Sequence, residues 1–240
     1  MGYRTSESGR GYALDARIPA RSALLEGEVR VVDDARGIVL FAHGSGSGRH
    51  SPRNQFVARS LQAMGLATLL FDLLTREEEA LDFAMHHLRF DIGLLAERLV
   101  DASRWVKSRP ETRELSIGYF GASTGGGAAL VAAAELGNEI GAVVSRGGRP
   151  DLAADALTRV KSPTLLIVGG LDETVIRLNK EALALLRCEK ELRIVPGATH
   201  LFEEPGTLEE VARLAGEWFG RNLPGRPDAH VHPARAHKRG

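Results

Sequence analysis

The segment Gly121-Ala122-Ser123-Thr124-Gly125 constrains this chain more than any other. It follows the apolar run 116–120 directly and leads into Gly126-Gly127-Ala128-Ala129-Leu130-Val131-Ala132. A β-type run that ends in Gly-x-Ser-x-Gly and continues as a helix-forming stretch reads as strand, sharp turn, helix, the setting of a nucleophile elbow. Such a turn holds the serine in a strained backbone conformation and leaves its Oγ exposed beyond the strand. Glycines two residues to either side leave out the side chains that would collide where strand and helix cross. With 27 glycines in 240 residues, the pentapeptide also arises by chance, so the rest of the chain must corroborate it.

Short β-type runs alternate with helical segments. The strands are read at 16–19, 25–32, 37–42, 67–72, 116–120, 142–145, 163–168 and 192–195. Runs such as Ile38-Val39-Leu40-Phe41 and Thr164-Leu165-Leu166-Ile167-Val168 are continuously aliphatic, the pattern of strands covered by helices on both faces. The first two strands alternate more, and Asp33-Asp34-Ala35-Arg36-Gly37 turns after them, which predicts an antiparallel edge. Ser51-Pro52 caps a helix that Gly65 closes. Ile92, Leu95, Ala96, Leu99, Ala102 and Val106 form a helical stripe stopping before Pro110. Thr207 and Glu210 read as a capping box for a last helix. The fold class is therefore α/β, one domain, with a mostly parallel, doubly wound eight-stranded sheet flanked by helices. Its expected bounds are 16–222, after an N-terminal extension at 1–15 and before a disordered tail at 223–240. His230, His232 and His237 in that tail are read as incidental. The stretch 73–89 lacks clear periodicity, which leaves His86 and His87 as loop residues or part of a lid.

Composition narrows the function. Acidic and basic residues balance at 31 each, so no broad basic face for nucleic acid is expected. No apolar run approaches the length of a membrane span, and the first residues have no signal-peptide character. The single cysteine, Cys188, excludes an internal disulfide, fits a cytoplasmic location and reads as a packing thiol.

The carboxyl ends of the strands carry the chemistry, as open α/β sheets require. The run 37–42 leads into His43-Gly44-Ser45-Gly46, the run 116–120 into Ser123, the run 163–168 into Gly169-Gly170-Leu171-Asp172, and the run 192–195 into Ala198-Thr199-His200. Ser123, Asp172 and His200 thus fall at one sheet edge in the order Ser, Asp, His. A serine hydroxyl needs a base to accept its proton as it attacks. His200 is that base near neutral pH, and Asp172 orients the imidazole and stabilises its charged form. The backbone N–H groups of Thr124 and Ser45 are the expected oxyanion donors. Taken alone, Asp172 is equally a helix cap, and His43 is a brace for the glycine turn rather than a catalyst.

These four segments resemble the dienelactone hydrolase-like branch of the α/β-hydrolases, over roughly residues 16 to 222. The resemblance implies an α/β-hydrolase fold with little or no cap, and hydrolysis of an ester or lactone through an acyl-enzyme without metal or cofactor. Some members of that branch carry a fused phosphoribosyltransferase domain, and none is expected within these residues. Dienelactone hydrolases proper use cysteine at the elbow. Ser123 here favours a more general carboxylic-ester hydrolase.

Two further readings keep the same fold: a binding protein that uses the pocket as a receptor, and an acyltransferase or peptidase with the same triad. The partner is expected to be a small ester or lactone, with neither nucleic acid nor membrane involved, and the oligomeric state stays open between monomer and homodimer. Arg49, Arg53, Arg146 and Arg149 lie near the catalytic edge, where a guanidinium suits a carboxylate or phosphate. Arg146, Arg49 and His43 are the candidate substrate contacts, Arg146 foremost because it is nearest its strand end. The competing expectation is that Arg146 or Arg149 pairs with Asp151 or Asp72, or lies in solvent.

Overall fold

A computed structural model describes residues 4–5, 11–21 and 23–225. Its strands are β1 (Arg4–Thr5), β2 (Tyr12–Ala20), β3 (Ala23–Val31), β4 (Gly37–Ala42), β5 (Ala67–Phe71), β6 (Ser116–Ala122), β7 (Ile140–Arg146), β8 (Thr164–Gly169) and β9 (Lys190–Val195). The helices are α1 (Pro52–Ala63), α2 (Arg76–Met85), α3 (Ile92–Ser108), α4 (Thr124–Leu136), α5 (Glu173–Leu185) and α6 (Thr207–Asn222).

All strands join one sheet in the order β1-β2-β3-β5-β4-β6-β7-β8-β9. β1 adds two residues at the rim; the other eight strands are those expected. β2 and β3 form an antiparallel hairpin registered from Tyr12↔Val31 to Ala20↔Ala23, and β3 meets β5 antiparallel. From β5 to β9 every pairing is parallel. The strand order reverses between β4 and β6, which places the β6 elbow beside the switch point where open α/β sheets keep their sites.

Alternation of side chains divides the core into two layers. Ile38, Leu40 and Tyr119 pack with α3, α4 and α5 on one face. Val39, Phe41 and Phe120 pack with α1 and α6 on the other. Both layers are aliphatic and aromatic, and their burial is the main force holding the sheet between the helices.

Several sequence expectations change. β2 begins at Tyr12, so residues 12–15 belong to the sheet rather than to an extension. The tail expected at 223–240 was placed too early, because Leu223 is buried in the core against α6 and the sheet; the rest of that expectation, with its three histidines, lies outside the described residues from 226 onward. Thr207 is the first helical residue of α6, not its cap: Gly206 occupies the cap position with φ +81°, and the Thr207 hydroxyl donates to Glu204 O at 2.7 Å. Residues 73–89, read as loop, contain α2. Its capping box is complete, Glu78 N–H donating to the Thr75 hydroxyl and Thr75 N–H to the Glu78 carboxylate. Leu81, Phe83 and Met85 of α2 are exposed, while Asp82 is buried against Arg89 and Glu78 pairs with Arg98 at 2.7 Å. α2 is therefore tethered by ionic contacts at two points. His86 ends this helix in a left-handed conformation.

Candidate active site

Ser123 sits between β6 and α4 with φ +50° and ψ −121°, a region that L-residues with a Cβ avoid. The flanking glycines permit it. A Cβ on Gly125 would lie 2.1 Å from Ala42 O, and one on Gly121 would lie 2.5 Å from Gly125 O. The elbow is also held from the next strand: Ser123 N–H donates to Arg146 O at 3.3 Å, and Arg149 N–H donates to Ser123 O at 3.0 Å.

The same loop receives the histidine. Gly147, between Arg146 and Arg149, has φ +51°, and a Cβ there would lie 3.6 Å from His200 Cε1. The loops after β8 and β9 are stitched together by Leu171 N–H donating to Ala198 O at 2.9 Å and Gly170 N–H to Val195 O at 2.8 Å. Glu204 accepts from both the N–H and the hydroxyl of Thr199, which fixes the residue before His200. The outcome is a 2.6 Å hydrogen bond between His200 Nδ1 and Asp172 Oδ2. A carboxylate can only accept, so this contact places a proton on Nδ1 and leaves the Nε2 lone pair as the basic position.

Asp172 makes two separate contacts, one with each carboxylate oxygen. It is the N-cap of α5, its Oδ1 accepting from Val175 N–H at 3.4 Å, and its other oxygen holds His200. Support from Asn179 was not legible in the sequence: its amide donates to Gly148 O and Val175 O, binding the 147–149 loop to α5. A buried asparagine on the inner face of a helix was the available signal.

The expected oxyanion donors differ in state. Thr124 opens α4, so its N–H has no carbonyl one turn back to bond. Ser45 N–H donates to the Thr124 hydroxyl at 3.0 Å, so it is engaged rather than open. Gly44 brings this loop against the nucleophile, since a Cβ there would lie 3.1 Å from Ser123 Cβ.

The profile of the Dienelactone hydrolase family matches residues 24–219. The chain belongs to that family. A solved dienelactone hydrolase from Anabaena variabilis ATCC 29413 superposes with TM-score 0.88 at 58% identity, covering 89% of this chain and 99% of that one. Est1E from Butyrivibrio proteoclasticus shares the fold at TM-score 0.73 and 16% identity, covering 87% of this chain and 98% of its own. Two Mycobacterium tuberculosis proteins, from strains CDC 1551 / Oshkosh and ATCC 25618 / H37Rv, are 56% identical over 211 residues, 88% of this chain and 47% of theirs. Both bear the name "Putative phosphoribosyl transferase". The chain spans about half the length of these curated relatives.

Within this dienelactone hydrolase family member, the candidate substrate contacts separate sharply. His43 is buried with both ring nitrogens committed: Nε2 accepts from Leu73 N–H at 2.9 Å, and Nδ1–H donates to Gly44 O at 3.0 Å. It braces the turn, with no ring nitrogen left over for a further hydrogen bond. Arg49 pairs with Asp72 and, at 2.8 Å, with Glu26. Arg53 pairs with Glu203 and Arg149 with Asp151. Arg49 lines the cleft, but its charge is already matched by the Asp72 and Glu26 carboxylates. Arg146 alone of the four has no carboxylate partner and is buried. Cys188 is half-buried against Thr164, and burial pushes its thiol pKa up, which suits a packing role. A cleft of 820 Å³ adjoins the site, walled by the 43–53 loop and by Glu79 and Phe83 of α2.

The bracing of His43 has a measurable consequence. Burial holds its pKa below the ordinary 6.5. On acidification the unfolded chain binds a proton near that value while the folded chain does not, so this contribution is complete at high pH and lost as pH falls. Urea unfolding at pH 7.5 and 5.5 is expected to show His43 adding a slope of up to about 1.4 kcal/mol per pH unit. His43→Gln flattens the profile by that amount; an unchanged slope rules out the neutral brace.

Proposed function

We propose that this chain is a serine hydrolase that cleaves a carboxylic ester or lactone through a covalent acyl-enzyme. The observation that carries the reading is the 2.6 Å Asp172–His200 hydrogen bond, formed at the sheet edge where Ser123 is held at φ +50°. In this scheme Ser123 Oγ attacks the carbonyl carbon while His200 Nε2 takes the hydroxyl proton. The tetrahedral oxyanion is met by the Thr124 N–H, with the Ser45 N–H joining once it is shared with or released from the Thr124 hydroxyl. Collapse expels the alcohol, which takes the proton from His200. A water then repeats the attack on the ester carbon of the acyl-enzyme, giving back the proton to Ser123 and releasing the acid. Water access to the cleft decides between hydrolysis and transfer to another acceptor.

The family profile covers most of the chain and describes hydrolases, so the transferase name of the longer mycobacterial relatives is not carried over. A serine-directed fluorophosphonate supplies the test. It is expected to label Ser123 stoichiometrically and to abolish hydrolysis of short p-nitrophenyl esters in step. Modification elsewhere with Ser123 untouched would sink the assignment, and labelling without any ester turnover would favour a receptor over an enzyme.

A further inference from the structure

Two residues past His200, the backbone adopts a conformation that its own side chain opposes. Phe202 has φ +56°, the left-handed region that a bulky residue avoids. The left-handed positions on either side of it in the chain are glycines, Gly197 at φ +73° and Gly206 at φ +81°. Strain of this kind persists only where the surrounding structure enforces it. Here it closes the histidine turn. Phe202 N–H donates to Thr199 O at 3.3 Å, which leaves His200 and Leu201 at the tip. The left-handed step then brings the chain back, so that the Glu204 carboxylate reaches the N–H and the hydroxyl of Thr199.

The phenyl ring anchors that turn from below. It is 1% exposed, in the core layer that holds Val195, Ala198 and Val211, whereas Leu201 beside it is exposed. The Arg146 guanidinium lies over its face, 5.8 Å from the ring centre, in a cation–π contact. The carbonyl of that same arginine accepts the Ser123 N–H at 3.3 Å. A Cβ on the next residue, Gly147, would lie 3.5 Å from Phe202 Cε2 and 3.6 Å from His200 Cε1, so both rings border one stretch of backbone. Phe202 thus connects the turn that carries His200 to the strand end that holds the nucleophile. The imidazole needs such support. Its side chain is 39% exposed, so enclosure does not orient it, and the single bond to Asp172 fixes one nitrogen without fixing the ring's depth.

Resting on the hydrolase reading above, we infer that Phe202 is a positioning residue, whose strained backbone and buried ring set the height and tilt of His200 against the Ser123 elbow. It meets no reacting atom itself and acts through His200. The alignment it maintains has a large leverage on rate, because a displacement of about 1 Å in a reacting group costs on the order of 10²-fold.

The test sets Phe202→Leu and Phe202→Met against Phe219→Leu in the full chain. Phe219 belongs to the same core layer but sits on α6 against Gly118, away from the carboxyl end of β6. Its replacement removes a buried ring and leaves the surroundings of His200 in place. Phe202→Met, whose unbranched chain fills irregular core space, carries the comparison if the leucine variant does not fold. All variants are expected to melt below the parent chain. With p-nitrophenyl acetate, kcat is expected to fall about 10- to 100-fold in the Phe202 variants, with KM within about threefold. Phe219→Leu is expected to keep kcat within about twofold. Nitrogen-15 NMR of the histidine rings supplies a readout that needs no turnover. In the parent and in Phe219→Leu, neutral His200 carries its proton on Nδ1; in the Phe202 variants a mixture with the Nε2–H tautomer is expected. An equal kcat loss in Phe219→Leu, an unchanged kcat in a folded Phe202 variant, or an unchanged His200 tautomer there overturns the positioning role. Absence of ester turnover in the parent and all variants counts against the hydrolase reading alone, and the ring tautomer still decides Phe202.

Discussion

Ser123→Ala is expected to fold like the parent chain and to lose ester hydrolysis by a factor on the order of 10⁴–10⁶. The fold survives because the serine side chain contributes nothing to the start of α4, where it makes no capping hydrogen bond. Alanine retains a Cβ, so it inherits the same backbone strain and neither relieves nor adds to it. Chemistry is lost because the remaining His200 and Asp172 have no hydroxyl to activate. Far-UV circular dichroism and thermal melting establish the fold, and p-nitrophenyl acetate turnover reads the loss. Residual turnover within tenfold of the parent would mean that another group carries the reaction.

The second large effect is Asp172→Asn, expected to cut turnover by about 10⁴-fold while leaving stability nearly unchanged. Asparagine caps helices as well as aspartate does, so the start of α5 persists. What changes is the imidazole. An amide opposite Nδ1 can present an N–H where a carboxylate presents only acceptors, and it then favours the tautomer whose proton sits on the wrong nitrogen. Asp172→Ala removes both roles and is expected to cost about 1 kcal/mol of stability as well. The rival acid, Glu173, is exposed in the first turn of α5, and Glu173→Gln is expected to be silent. Damage from Glu173→Gln with a harmless Asp172→Asn would reverse the reading of that loop.

What the sequence revealed follows physical lines. β4 and β8 are buried at every position, and a strand covered on both faces must be aliphatic throughout, so both were legible. The loops that carry Ser123, Asp172 and His200 were legible as strand-end turns because each combines a turn-forming glycine with a residue that has few uses at a strand end. The ends of β2 were missed because polar residues alternate there beside an open face. α2 was missed for a similar reason: its large apolar side chains point to solvent and the residue it buries is Asp82, so no apolar stripe marks it. The cap of α6 was misplaced because a glycine at positive φ did the work assigned to a threonine. The arginines could not be sorted at all without coordinates. Arg49 finds Glu26 on β3 and Asp72 just past the end of β5, and no spacing rule distinguishes it from Arg146, which finds neither.

The spread of the site across β4, β6, β8 and β9 ties reactivity to completed assembly. Ser45, Ser123, Asp172 and His200 arrive on four separate passes of the chain, and the histidine comes last, after the final strand has paired with β8. In the proposed scheme these groups come together only when the parallel half of the sheet has assembled. The hairpin of β2 and β3 at the opposite rim carries none of these groups.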